Sequence, residues 1–244
     1  MVVQVLEVGA ESSRVVVIDD FLADPDAVVR QAAALAPFPD MKENYYPGLR
    51  RMVTPADGAC FGYFDAMCQA VAPILRQLFG VERFRITEAG FSLVTRRPQE
   101  TEPAQRVPHY DSTDPNNFAV LHYLNRGPMG GTAFYRHIRS GFEMLSEARA
   151  AAYQAAIDRD LMQFGVPQPG YFNETNAVWE KMAEVPWRFN RLLIYQGALF
   201  HSGIISEDFA FSPDPLRGRL TGNLFLNATK SAGMPPLEMN TPPR

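Results

Sequence analysis

Four histidines, His109, His122, His137 and His201, are the side chains best suited to ligate a metal or exchange a proton near neutrality. In Val107-Pro108-His109-Tyr110-Asp111 an imidazole and a carboxylate stand two residues apart, and on a strand such residues project from one face. Both can then reach one metal ion. A third ligand has to come from elsewhere in the chain, and His201 in Leu199-Phe200-His201-Ser202-Gly203, late in another predicted strand, is the natural candidate. Two imidazoles and one carboxylate on one face of an octahedron make the facial triad of non-heme Fe(II) sites, which leaves positions open for a cosubstrate and O2. An H-x-D pair alone is weak support, because chance pairs are common. Further along, Arg217-Gly218-Arg219-Leu220-Thr221 leads into the apolar run Leu224-Phe225-Leu226. Arg219 and Thr221 share a face there, so a guanidinium fork and a hydroxyl could together hold a carboxylate. Taken alone, Arg219 would read as an ordinary salt-bridging arginine at a strand end.

Composition narrows what such residues serve. The chain has 244 residues, 46% hydrophobic and 20% charged, enough for a sizeable core. Lys+Arg 23 against Asp+Glu 27 gives 23 − 27 = −4, with no Lys/Arg run, which argues against nucleic-acid or anionic-membrane binding through bulk charge. No stretch of apolar residues is long enough for a membrane span, and MVVQVLEVGAESS lacks the features of a signal peptide, so the expectation is a cytoplasmic protein. Cys60 and Cys68 fit neither a disulfide framework nor a zinc or redox motif. Cys68 reads as a core residue among Phe64, Met67, Val71 and Leu75.

Twenty prolines and 17 glycines favour many short elements, hence a mainly β (α+β) protein. Val15–Ile18 reads as a buried strand. Asp24 is placed to cap a helix that Pro25 opens and Pro37 ends. A second helix is expected over Tyr63–Phe79, stopped by Gly80 and kinked or split at Pro73. The turn-rich segments around Asn44–Gly48 and Thr54–Gly58 read as a surface loop between the helices. Strands are expected at Phe84–Thr95, Arg106–Asp111, Phe118–Asn125, Thr132–Ile138, Arg188–Gln196, Leu199–Gly203 and Arg219–Asn227. Glu143–Phe164 reads as a helix inserted among them, with a second short helical stretch near Asn176–Ala183. The layout is a single domain over 1–244: strand and helices in 1–83, a β core in 84–228 carrying the insertion 140–187, and a tail in 229–244.

The chemistry-bearing segments together resemble the Fe(II)/2-oxoglutarate-dependent oxygenases of the prolyl 4-hydroxylase-like type. The matching pieces are His109-Tyr110-Asp111, Val120–Asn125 followed by Gly130–Phe134, Asn190–Tyr195 leading into His201-Ser202-Gly203, and Arg219-Leu220-Thr221, with Val17–Leu22 as the lead-in strand. The resemblance implies a double-stranded β-helix (jelly-roll) braced by the N-terminal helices. It assigns His109, Asp111 and His201 to iron and Arg219 with Thr221 to the distal carboxylate of 2-oxoglutarate. Arg217 stands as the alternative to Arg219, because the loop Ile204–Leu216 widens the gap after His201. The cofactors implied are Fe(II), 2-oxoglutarate and O2, and the reaction implied is hydroxylation of a C–H bond with release of succinate and CO2. Asp111 leaves no iron position for chloride, which disfavours halogenation.

Two other functions fit parts of this pattern. A cupin-like metal enzyme would use the triad without 2-oxoglutarate, and would have no use for Arg219 and Thr221. A non-catalytic jelly-roll binding module would have no need of all three ligand types. A small molecule, a protein or a peptide is the expected substrate, and a homodimer is compatible with the sequence. His122 is open between a pocket and a structural role, and His137 reads as exposed or substrate-side. Tyr123 and Tyr195 are candidate pocket phenols, with core packing as the default. The insertion is long enough to be a lid, with Tyr171, Phe172 and Trp179 as its contact aromatics, the alternative being a dimer interface or a packing brace.

Overall fold

The computed structural model describes residues 2–40, 45–127, 130–206, 209 and 211–230. The chain begins with β1 (Val2–Val8) and β2 (Ser13–Asp19), followed by α1 (Pro25–Ala34), β3 (Gly48–Met52) and α2 (Ala59–Phe79). Then come β4 (Val81–Val94), β5 (Asn117–Tyr123), β6 (Thr132–His137) and α3 (Glu147–Phe164). The last four strands are β7 (Trp179–Val185), β8 (Leu192–Gln196), β9 (His201–Gly203) and β10 (Leu220–Lys230). They build an antiparallel seven-stranded sheet, order β1-β2-β8-β5-β10-β4-β3, and an antiparallel three-stranded sheet, order β7-β6-β9.

Strand alternation assigns the two faces of the large sheet. Val16, Ile18, Phe118, Val120, Leu192, Ile194, Leu220 and Leu224 share one core with α1 and α2, whereas Val15, Val17, Ala119, Tyr123, Leu193 and Tyr195 share another with Phe134 and Val185 of the small sheet. The outer face of the small sheet packs Ala133, Tyr135 and Trp179 against Tyr153 and Ile157 of α3. The result is four layers: helices, large sheet, small sheet, helix.

Helix α2 is the main brace. Cys60, Tyr63, Phe64, Met67, Cys68, Val71 and Leu75 recur at helical spacing and are buried, and residues such as Phe64, Met67 and Leu75 each contribute about 1.5–3 kcal/mol by leaving water. Pro73 does not split the helix. It sits on the exposed side of an unbroken run, where the carbonyl it leaves without a donor can be hydrated. The expected caps are present: Asp24 accepts from Ala27 N at 3.0 Å, and Gly80 ends α2 in the left-handed region.

Several expectations are corrected. Arg106–Asp111 is not a continuous strand; a 3-10 turn covers Pro103–Arg106, and only His109 makes a bridge, to His201. The stretch near Asn176–Ala183 is not helical, because Trp179–Val185 pairs with β6. The supposed loop between the helices contains β3. In the tail expected over 229–244, residues 231–244 lie outside the described residues, as do 128 and 129 of the Asn125–Gly131 turn.

His122 is structural. It lies on the helix side of β5, fully buried, with Nδ1 2.8 Å from Tyr63 Oη and Nε2 3.1 Å from Asn190 Oδ1. Asn190 in turn accepts from Leu22 N and donates to Leu22 O, so one imidazole joins α2, the sheet and the β2–α1 connection. Burial pushes His122 down to about 4, against 6.5 for a free imidazole. The native state therefore holds it neutral, and stability falls as pH drops from 6.5 towards 4, where the unfolded chain takes up the proton first. His122→Gln should destabilise the protein at pH 7, and by pH 5 the gap to the parent should have narrowed by about 2 kcal/mol, measured by urea unfolding. A gap independent of pH would refute the assignment.

Candidate metal and carboxylate site

The site lies between the two sheets. His201 opens β9 and Phe134 pairs opposite it on β6, so its ring turns towards the large sheet beside Tyr195, ring centroids 4.8 Å apart. The extended segment holding His109 zips onto β9: His109 N donates to His201 O at 2.9 Å and His201 N returns a bond to His109 O at 2.8 Å. Asp111 N then donates to Gly197 O at 2.7 Å. Gly197 permits this approach, since a Cβ there would lie 2.5 Å from Asn117 Oδ1 and 3.1 Å from the Asp111 Cβ.

These bonds bring one ligand atom from each of His109, Asp111 and His201 within 4.8 Å of one another. His109 Nε2 stands 4.0 Å from Asp111 Oδ1, and His201 Nε2 stands 3.7 Å from Asp111 Oδ2. His201 Nδ1 is 2.8 Å from the Leu199 carbonyl; with the proton on Nδ1, that bond orients the ring and leaves the Nε2 lone pair facing the cluster. The side chain of His201 is 6% exposed, Asp111 18% and His109 53%, so the cluster is closed on the β9 side and open at His109.

Burial pushes His201 down to about 4. His109 is pushed to a similar value, by burial and then by the facing His201, with Asp111 opposing. Because half of His109 remains in water, which stabilises its cation, we take His201 as the ring more firmly held neutral. Burial raises Asp111 to about 6, against His109 and Arg50, which favour its anion.

Arg219 and Thr221 lie on the same inner face, both buried. The Arg219 guanidinium sits 5.5 Å over the Tyr123 ring, donates to Gly131 O at 3.1 Å and faces the space over Gly203. Gly203 is two residues along β9 from His201, a strand spacing of roughly 7 Å. Tyr46 reaches both Arg219 and Thr221, and Asn223 Nδ2 bridges Thr221 Oγ1 at 3.1 Å to Ser92 Oγ at 2.8 Å. Arg217 points elsewhere, 82% exposed and 3.7 Å from Asp214.

Other sequence candidates fall outside this cluster. His137 is not exposed: it lies fully buried on the α3 side, with Nε2 2.9 Å from Asp160, Nδ1 2.9 Å from Ser140 and its ring against Trp179. Trp179 is 1% exposed in the same core. Tyr123 and Tyr195 do line the inner face, Tyr123 through a 2.7 Å bond to Thr132 Oγ1. A cavity of about 960 Å3 lies beyond the Arg219 end, walled by Arg97, Gln168, Tyr171, Phe172, Ile205 and Phe211 among others, and no triad residue lines it. Tyr46 and Arg50 were missed by sequence reasoning, because they stand in and beside the charged strand β3, which lacks an apolar alternation to announce it.

The chain belongs to a family of unknown function, DUF6445, whose pattern matches residues 1–226. No curated protein matches it. Among solved structures it is similar to HygX from Streptomyces hygroscopicus with nickel and 2-oxoglutarate bound, at 14% identity over 90% of this chain and 84% of that one, TM-score 0.51. It is likewise similar to apo HygX, at 13% identity over the same shares and TM-score 0.50. The viral collagen prolyl hydroxylase vCPH from Paramecium Bursaria Chlorella virus-1, in its 2-oxoglutarate complex, matches at 9% identity over 88% of this chain and 96% of that one, TM-score 0.47. The likeness to HygX establishes a shared fold. Among the described residues, no helix is long and apolar enough to cross a membrane.

In the metal-free protein the His201 ring protons should titrate by NMR near pH 4, with His109 also below 6.5. Midpoints near 6.5 for both would contradict the closed geometry.

Proposed function

We propose that this chain is an Fe(II)- and 2-oxoglutarate-dependent oxygenase on a double-stranded β-helix (jelly-roll), hydroxylating a C–H bond of a small molecule or peptide and releasing succinate and CO2. The observation that carries the reading is the convergence of His109, Asp111 and His201 on one face with Arg219 and Thr221 about one strand repeat away. That spacing suits a five-carbon diacid reaching from a metal to a guanidinium.

The donor set fits the metal. Two imidazoles held neutral at pH 7 and one carboxylate give the nitrogen and oxygen ligands that non-heme Fe(II) takes, with ligand atoms already gathered. When bound, the metal and 2-oxoglutarate supply the oxidising chemistry that the protein's own side chains lack. His109, Asp111 and His201 would hold the iron, and the Leu199 carbonyl fixes the His201 ring by accepting from Nδ1.

Arg219 offsets the cost of stripping water from the distal carboxylate. Thr221 and Tyr46 add hydroxyls, and the Gly131 carbonyl together with the Tyr123 face holds the guanidinium in place. Tyr195 and Tyr123, buried between the sheets, keep water from the closed side. His109 borders the open side, where a substrate would enter. The segment 166–178 after α3 contributes Tyr171 and Phe172 to the wall of the cavity beyond the Arg219 end, away from His109.

The test is anaerobic loading with Fe(II) and 2-oxoglutarate, admission of O2 and a succinate assay across substrate pools. Succinate formation dependent on both is expected. Arg219→Ala should raise the 2-oxoglutarate Kd by about a hundredfold, a charge-assisted pair being worth roughly 1.5–3 kcal/mol. Arg219→Lys should restore only part of that, because the planar fork is lost. If Arg217→Ala has the same effect as Arg219→Ala, the clamp is misassigned.

A further inference from the structure

The inner face carries a second cation that the oxygenase reading does not use. Register places Arg50 opposite Ser92, Ser92 opposite Thr221 and Thr221 opposite Tyr123, one row of side chains across four strands on the site side of the large sheet. Arg50 is 13% exposed, its guanidinium 5.9 Å from the centroid of the Phe225 ring. Its charge acts on both the Asp111 carboxylate and the Tyr46 phenol, so it stands within electrostatic reach of the triad and of the carboxylate clamp. Among the described residues the guanidinium has one recorded acceptor, Glu88 Oε2 at 2.9 Å, and Glu88 is 46% exposed.

We propose that Arg50 anchors an oxyanion of the substrate, a carboxylate or a phosphate, at the metal mouth, with Glu88 as the internal group that the substrate displaces. The proposal rests on the oxygenase reading, since it is the substrate of that site that Arg50 would hold. A divalent metal and Arg219 would balance Asp111 and the two carboxylates of 2-oxoglutarate, which leaves Arg50 as a cation whose one side-chain acceptor among the described residues, Glu88, is half exposed and free to swing into water. A half-exposed ion pair contributes little to stability, about 0–1 kcal/mol, so holding a desolvated guanidinium on this face for bracing alone would gain little. A planar fork facing a site is, by contrast, well shaped for a bidentate oxyanion.

The experiment uses parent protein saturated with Ni(II) and 2-oxoglutarate, titrated with acetate, with acetamide as the neutral isostere, and separately with inorganic phosphate. The paramagnetic metal broadens the acetate methyl or the phosphorus resonance of any bound probe. Saturable broadening by acetate or by phosphate, but not by acetamide, is expected, and the stronger of the two identifies the kind of oxyanion. Arg50→Gln should weaken that binding about tenfold, the value of one charge-assisted hydrogen bond, while Glu88→Gln, which removes the competitor and leaves Arg50 in place, should tighten it severalfold. If Arg50→Gln fails to fold, the opposite sign expected of Glu88→Gln still decides. Equal binding by parent and both variants, or no binding of either anion, overturns the proposal. Failure of the oxygenase reading shows separately, as a parent that takes up neither Ni(II) nor 2-oxoglutarate.

Discussion

The backbone pairing of His109 with His201 is the constraint on which the site depends. The two reciprocal bonds, with Asp111 N on the Gly197 carbonyl, lay an otherwise irregular segment against β9, and all three candidate ligands come to one point as a consequence. The pairing is prepared from both sides. Upstream, the Arg106 guanidinium donates to the Thr101 carbonyl and to Pro167 O at 2.8 Å, tying the 3-10 turn to the segment after α3. On the other side, β9 is held by β6, whose outer residues are clamped under α3 by the His137–Asp160–Arg139 network. A single short strand thus carries the load of two distant parts of the chain.

The large sheet converts this local pairing into a chemical site by keeping its faces distinct. Helix α2 covers one face with apolar side chains and with the His122–Tyr63 contact, so the other is free to carry Thr221, Asn223, Ser92 and Arg50 in register. Burying Arg219 there is costly unless its donors and charge are met. The Gly131 carbonyl and the Tyr123 face meet part of that cost, and Thr221 and Tyr46 extend the polar surface toward the triad.

How much of this could be read from the sequence follows from how local each signal is. Asp24, Gly80 and the apolar spacing of α2 act within a few residues, so the helices were readable, and so were β5, β6, β8 and β10 from their apolar runs and flanking turns. Strand β7 was not: Glu180, Lys181, Met182 and Ala183 are good helix formers, and only pairing with β6 makes them extended. His137 reads as exposed or substrate-side because it stands where its strand approaches the helical insertion, whereas α3 of that same insertion buries it. Alternation with Thr221 favours Arg219 over Arg217 in the sequence, and in the structure Arg219 is buried whereas Arg217 is exposed. Strand alternation also predicts one face for His109 and Asp111, but their convergence comes from separate backbone bonds to His201 and Gly197. Arg50 had no sequence signal, because its place is set wholly by the β3–β4 register.

The most direct measurement is calorimetric titration of 2-oxoglutarate into the protein with and without Ni(II), which cannot complete turnover. If the triad and the Arg219 clamp hold the two ends of one molecule, the metal should tighten 2-oxoglutarate binding at least about tenfold, and Asp111→Ala should abolish that gain. Binding of the same strength with and without metal, or none in either case, would show that the two ends of this face do not share a ligand.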